Sequence, residues 1–128
     1  MRQKSEELSN ILTFFSNNII NALQDKKAQD IVELNLSELK LSLFDRFIIC
    51  TATSTTHAEA LCDNVLQTIK QNMNILPQHV EGKQNSQWIL IDYFDIMVHI
   101  FLKESRAFYD VENLWIDAER TEYDFTKA

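Results

Sequence analysis

WILIDYFDIMVHIF, residues 88–101, is the densest apolar run in the chain. Its β-branched and aromatic content favours strand over helix. It reads as two strands joined by a tight turn near Tyr93-Phe94. A two-residue turn pairs Asp92 with Asp95, Ile91 with Ile96, Leu90 with Met97, Ile89 with Val98 and Trp88 with His99. Side chains alternate faces along a strand. One face then carries Ile89, Ile91, Ile96, Val98 and Ile100, all aliphatic, and reads as core. The other carries Trp88, Leu90, Asp92, Asp95, Met97, His99 and Phe101. That mixed face suits a covering helix or a partner protein.

Working outward, residues 5–24 carry Leu8, Ile11, Leu12, Phe15, Ile19, Ala22 and Leu23 at spacings of three and four, one apolar helical stripe. Ser5 is the expected cap, with Glu6 and Glu7 at the positive end of the helix dipole and Lys26 and Lys27 at the other. Residues 31–36 form a short strand with Val32, Leu34 and Leu36 on one side, and Ser37-Glu38-Leu39 allows a single helical turn. Phe47-Ile48-Ile49-Cys50 is apolar throughout, as expected of a strand buried on both faces. A second helix spans 55–73, capped by Ser54 or Thr55, with Pro77 preventing its continuation. His79-Val80-Glu81 is a short strand, and residues 82–86 turn into the hairpin. Residues 103–118 read as a last helix lined by Phe108, Val111, Leu114 and Trp115, and 119–128 as a frayed polar tail. The expected fold is one α/β domain over residues 1–118, a mixed β-sheet of about five strands with helices packed on it.

At 128 residues, 45% of them hydrophobic, the chain can bury a real core. No apolar run approaches the roughly 20 residues that span a bilayer, and the N-terminus lacks a signal-peptide core. No membrane association is expected, and the cytoplasm is the expected compartment. Cys50 and Cys62 sit in apolar patterns and read as buried thiols. A net charge of −7 disfavours unaided, specific nucleic-acid binding and favours a basic protein partner.

Three places could carry chemistry. The loop IICTATSTTHA, residues 48–58, enters a helix as phosphate-binding loops do, but lacks their glycines and lysine, so ordinary capping accounts for it better. Asp92 and Asp95 at the hairpin tip could hold Mg²⁺ for nucleotidyl transfer, although turn residues bonding their own backbone are the commoner case. His99, like His57 and His79, has no identifiable nucleophile beside it and reads as structural. Trp88 reads equally as core or as an interface anchor.

The order and spacing of several segments carry a resemblance. They are Lys27-Ala28-Gln29-Asp30-Ile31; residues 47–54 with His57 and Asp63; Glu81-Gly82; residues 88–92 with Asp95 and Val98-His99-Ile100-Phe101; and Glu104-Ser105-Arg106 with Phe108-Tyr109, Glu112 and Leu114-Trp115. Over residues 25–118 the chain resembles the ribosomal silencing factor family, also called RsfS or Iojap. The resemblance implies a translation repressor without enzymatic activity or cofactor, on a nucleotidyltransferase-like sheet lacking the catalytic equipment. It implies binding to the large ribosomal subunit through ribosomal protein uL-fourteen, obstructing an intersubunit bridge so that the small subunit cannot join. Trp88 falls on the family's ribosomal-protein-binding Trp, and Glu81 and Gly82 match the same segment. The expected contacts are Trp88, Leu90, Met97, His99, Glu81 and Phe94, with a homodimer through the same face as a competing use. Two departures stand out: Ala52 and Phe94 occupy positions where the family commonly has Gly. Phe94 in the turn implies a different geometry or local strain.

Overall fold

The computed structural model describes residues 2–39 and 44–123. Among the described residues a single mixed sheet has six strands in the order β3-β4-β5-β2-β1-β6. They are β1 (Gln29–Asn35), β2 (Arg46–Ala52), β3 (His79–Glu81), β4 (Trp88–Asp92), β5 (Ile96–Leu102) and β6 (Glu119–Tyr123). Only β2 and β5 pair in parallel; every other pair is antiparallel. α1 (Arg2–Asp25) and α2 (Thr55–Met73) cover one face, and α3 (Lys103–Tyr109) and α4 (Val111–Leu114) follow β5.

The helix-covered face holds the larger core. Ile89, Ile91, Ile96, Val98 and Ile100 meet Phe15, Ile19 and Leu23 of α1 and Leu61, Val65 and Ile69 of α2. β2 lies between β1 and β5 and is buried along both faces from Phe47 to Ala52, which is why it reads as an unbroken apolar run. Ser54 caps α2, accepting the His57 N–H, and Asn74 closes it in a left-handed conformation. His57 then clips two loops together: its Nδ1 accepts the Thr53 N–H at 2.9 Å, while Nε2 sits 2.7 Å from the Lys26 carbonyl. Cys50 and Cys62 are free and buried, and burial pushes their thiols up to about 12 and about 11. No described helix is long and apolar enough to cross a membrane.

Four expectations require correction. The sheet has a sixth strand where a frayed tail was expected: Glu119–Tyr123 pairs with β1, and residues 124–128 lie outside the described part. β6 is an edge strand rich in charge, so it carries little apolar signal. The helix expected over 103–118 breaks at Asp110, whose φ of 47° ends α3, and Phe108 and Leu114 are left exposed. α1 begins before Ser5, which lies inside the helix instead of capping it, and Leu8 and Ile11 of the expected stripe are exposed. Finally, the hairpin register is Trp88↔Phe101, Leu90↔His99 and Asp92↔Met97, two residues away from the tight-turn pairing. An even shift keeps every side chain on its expected face.

Candidate functional site

The sheet face opposite α1 and α2 holds a second, aromatic core. Val32, Leu34, Leu36, Phe47, Ile49 and Phe101 are buried there, with Phe44, Trp88, Met97, Val111 and Trp115 packed on them and half-exposed. The α3–α4 segment covers only part of this face: Trp115 sets its ring edge on Phe47 at 5.9 Å. Beyond that cover the surface is Trp88, Leu90 and Met97.

Trp88 is fixed from three sides. Its indole stacks on Phe101 at 4.8 Å and lies 4.7 Å from the Tyr109 ring. Its Nε1–H donates to Nδ1 of His99 at 3.2 Å. Accepting at Nδ1 leaves the neutral His99 proton on Nε2, which has no partner among the described residues. His99 is only 3% exposed, and burial pulls its imidazole down to about 3, so it is neutral at physiological pH. His99, one of the expected contact residues, therefore lies buried beneath Trp88 and bonded to it. Gly82 supports the same residue through the backbone. It sits at φ 89°, and a Cβ there would fall 2.0 Å from the Trp88 carbonyl oxygen. A cavity of about 130 Å³ opens beside Trp88, lined by Gly82, Asn85, Gln87, Ser105 and Tyr109.

The other expected residues divide. Glu81 lies opposite Leu90 on the same face and is exposed. Met97 pairs with Asp92 and, across the parallel pair, with Phe47. Phe94 stands apart at the hairpin tip, beyond the far end of β4, a strand length of about 13 Å from Trp88 to Asp92. Tyr109 was missed from sequence because the apparent continuity of the 103–118 helix hid the break that sets it against Trp88.

Asp92 and Asp95, the expected metal candidates, flank the hairpin tip. Asp92 Oδ1 accepts the Phe94 N–H at 2.8 Å, as a turn residue does. The Asp95 carbonyl accepts the N–H groups of Asp45 and Arg46, which places the tip at the start of β2. The hydroxyl-rich loop lies at the other end of that seven-residue strand, about 20 Å away. Among the described residues, no three His, Cys, Asp or Glu side chains converge as a metal site.

A cavity of about 1430 Å³ forms a charged groove lined in part by Lys27, Asp30, Thr51, Arg106, Glu112 and Arg120. Arg106 organises its wall. It donates to the Asp30 carbonyl at 2.7 Å, to Thr51 Oγ1 at 2.8 Å and to both carboxylate oxygens of Glu112. Those bonds, together with Arg120, hold the Glu112 carboxyl below its usual range. The network ties the α3–α4 segment and β6 to the sheet, and so holds the cover of the aromatic face in place.

Comparison with known proteins gives this geometry a family. The sequence model described as "Ribosomal silencing factor during starvation" matches residues 13–128. The chain belongs to the ribosomal silencing factor family. A silencing factor of Halalkalibacterium halodurans is 38% identical over 103 residues, covering 80% of this chain and 86% of that one. A silencing factor of Chromobacterium violaceum is 39% identical over 97 residues, covering 75% and 77%. A crystal structure of a Chromobacterium violaceum protein superposes with a TM-score of 0.76 at 37% identity, covering 80% of this chain and 84% of that one.

Proposed function

We propose that this silencing factor binds the large ribosomal subunit through ribosomal protein uL-fourteen and, seated there, prevents the small subunit from joining, thereby repressing translation. The observation that carries the reading is the Trp88 face: a large, half-exposed indole, held rigid by His99, Phe101 and Tyr109 on a sheet face that its own helices leave partly open. A rigid aromatic at the centre of an apolar patch is the usual form of an interface hot spot, because little side-chain entropy remains to be lost on binding. Trp88, Leu90, Met97, Tyr109 and Glu81 supply the contact surface, and His99 positions Trp88. The acidic chain suits a basic ribosomal protein, whose opposite potential steers encounter. A steric block needs no cofactor and no direct, specific contact with nucleic acid.

The test is sucrose-gradient sedimentation of the full chain with purified subunits. The parent co-migrates with the large subunit and lowers the fraction of joined ribosomes. Trp88→Ala costs about 2 kcal/mol of binding or more. Wild-type affinity in a folded Trp88→Ala protein refutes the assignment of the face. If the face serves a homodimer instead, light scattering finds a dimer that Trp88→Ala dissolves, with no migration to the large subunit.

A further inference from the structure

Phe94 combines two properties that no contact among the described residues explains. Its φ is 75°, and it is the only aromatic at positive φ among the described residues. The residue is 65% exposed. Other positive-φ positions have local reasons: Asn74 and Asp110 close helices, and short polar side chains tolerate that region. A bulky side chain does not, and a glycine would make the same turn without strain. Burial within the fold does not compensate, because the ring projects outward.

The surroundings of the ring specify what could cover it. Asp45, Asp92 and Asp95 belong to the same tip, joined by the Asp92–Phe94 and Asp95–Asp45 hydrogen bonds. None of the three carboxylates is in an ion pair among the described residues. His79 lies across the strand from Asp92, and the nearby Arg46 is engaged with Glu33. The Asp95 carboxyl is raised above its usual range chiefly by burial, with its neighbour Asp45 adding to the rise. The tip also continues the aromatic face, since Asp92 pairs with Met97 and Phe44 adjoins Asp45 while its ring meets Phe47.

We propose that Phe94 is a second anchor of the ribosomal contact: its ring enters an apolar notch on the same large-subunit protein that receives Trp88, and basic side chains around that notch meet Asp45, Asp92 and Asp95. The inference rests on the ribosome-binding reading above. Three carboxylates at the tip, of which Asp95 is exposed, favour a basic protein surface over a phosphate backbone, since RNA would bring like charge to the tip. The backbone strain at Phe94 is retained because the ring contributes to binding and not to folding.

The experiment measures affinity and stability separately. Large subunits are titrated against the labelled full chain for the parent, Phe94→Gly, Phe94→Ala and Trp88→Ala, with melting temperatures for each. Both Phe94 variants weaken binding by about tenfold or more. Phe94→Gly melts above the parent because glycine relieves the positive φ. Phe94→Ala removes the ring and keeps the strained backbone, so its loss of binding belongs to the ring. Affinity within twofold of the parent in either Phe94 variant overturns the inference. If Trp88→Ala weakens binding in that case, the ribosome-binding reading stands without the tip. A parent that does not bind the large subunit overturns both.

Discussion

Burial of neutral His99 should make this protein lose stability in mild acid. His99 is 3% exposed, its ring stacked on Phe101 and tilted against Phe47, and it accepts the Trp88 indole N–H on Nδ1. An imidazolium would place a second donor against that indole and bury a charge without a counter-ion. Burial lowers the folded-state value from 6.5 to about 3, so between those values the unfolded chain binds the extra proton and the folded chain does not. Stability is therefore fully present above pH 6.5 and is lost as pH falls toward 3. At about 1.4 kcal/mol per unit, moving from pH 7.5 to 5.0 crosses roughly 1.5 units of that window and costs about 2 kcal/mol. That is a sizeable part of the roughly 5–15 kcal/mol a domain of this kind possesses. The carboxyl of Glu112 is held below its usual range, first by its hydrogen bonds from Arg106. The assay is urea denaturation followed by tryptophan fluorescence at pH 7.5, 6.0 and 5.0, in the parent and in His99→Gln. Glutamine still offers an acceptor to the indole but does not titrate, so its pH dependence should be nearly flat. Equal losses in both proteins, or no loss in the parent, would refute the buried, neutral role of His99.

Two further substitutions probe how the face is held. Gly82→Ala places a Cβ against the Trp88 carbonyl at positive φ and should destabilise the fold by about 2 kcal/mol or more, read as a drop in melting temperature. Arg106→Ala breaks the bonds to Asp30, Thr51 and Glu112 and leaves a half-buried carboxylate without its principal partner. It should cost about 3 kcal/mol in urea denaturation and expose the backbone amides of β6 to hydrogen exchange.

The hairpin and its two faces were legible because strand alternation is a strong local signal, and it survived the error in turn length because the register moved by two residues. β3 and α2 were equally plain, bounded by Ser54 and by the turn residues after Glu81. β6 was not, since a charged edge strand is defined by its partner β1 and not by its own sequence. The break at Asp110 was hidden for a related reason: Phe108, Val111, Leu114 and Trp115 repeat at helical spacing, yet the chain turns left-handed between them and only Val111 and Trp115 reach the core. At the candidate site, Trp88 was visible as a residue type, but its rigidity was not. That depends on His99, Phe101 and Tyr109 arriving from β5 and α3, a tertiary arrangement that residue spacing does not encode.

The central claim is that the Trp88 face docks on the large subunit and keeps the small subunit away. Its most direct test is sedimentation of purified subunits under joining conditions with the parent chain or folded Trp88→Ala. The account predicts that the parent travels with the large subunit and depletes joined ribosomes, while Trp88→Ala does neither at the same concentration. A parent chain left at the top of the gradient, with joined ribosomes undiminished, would contradict it.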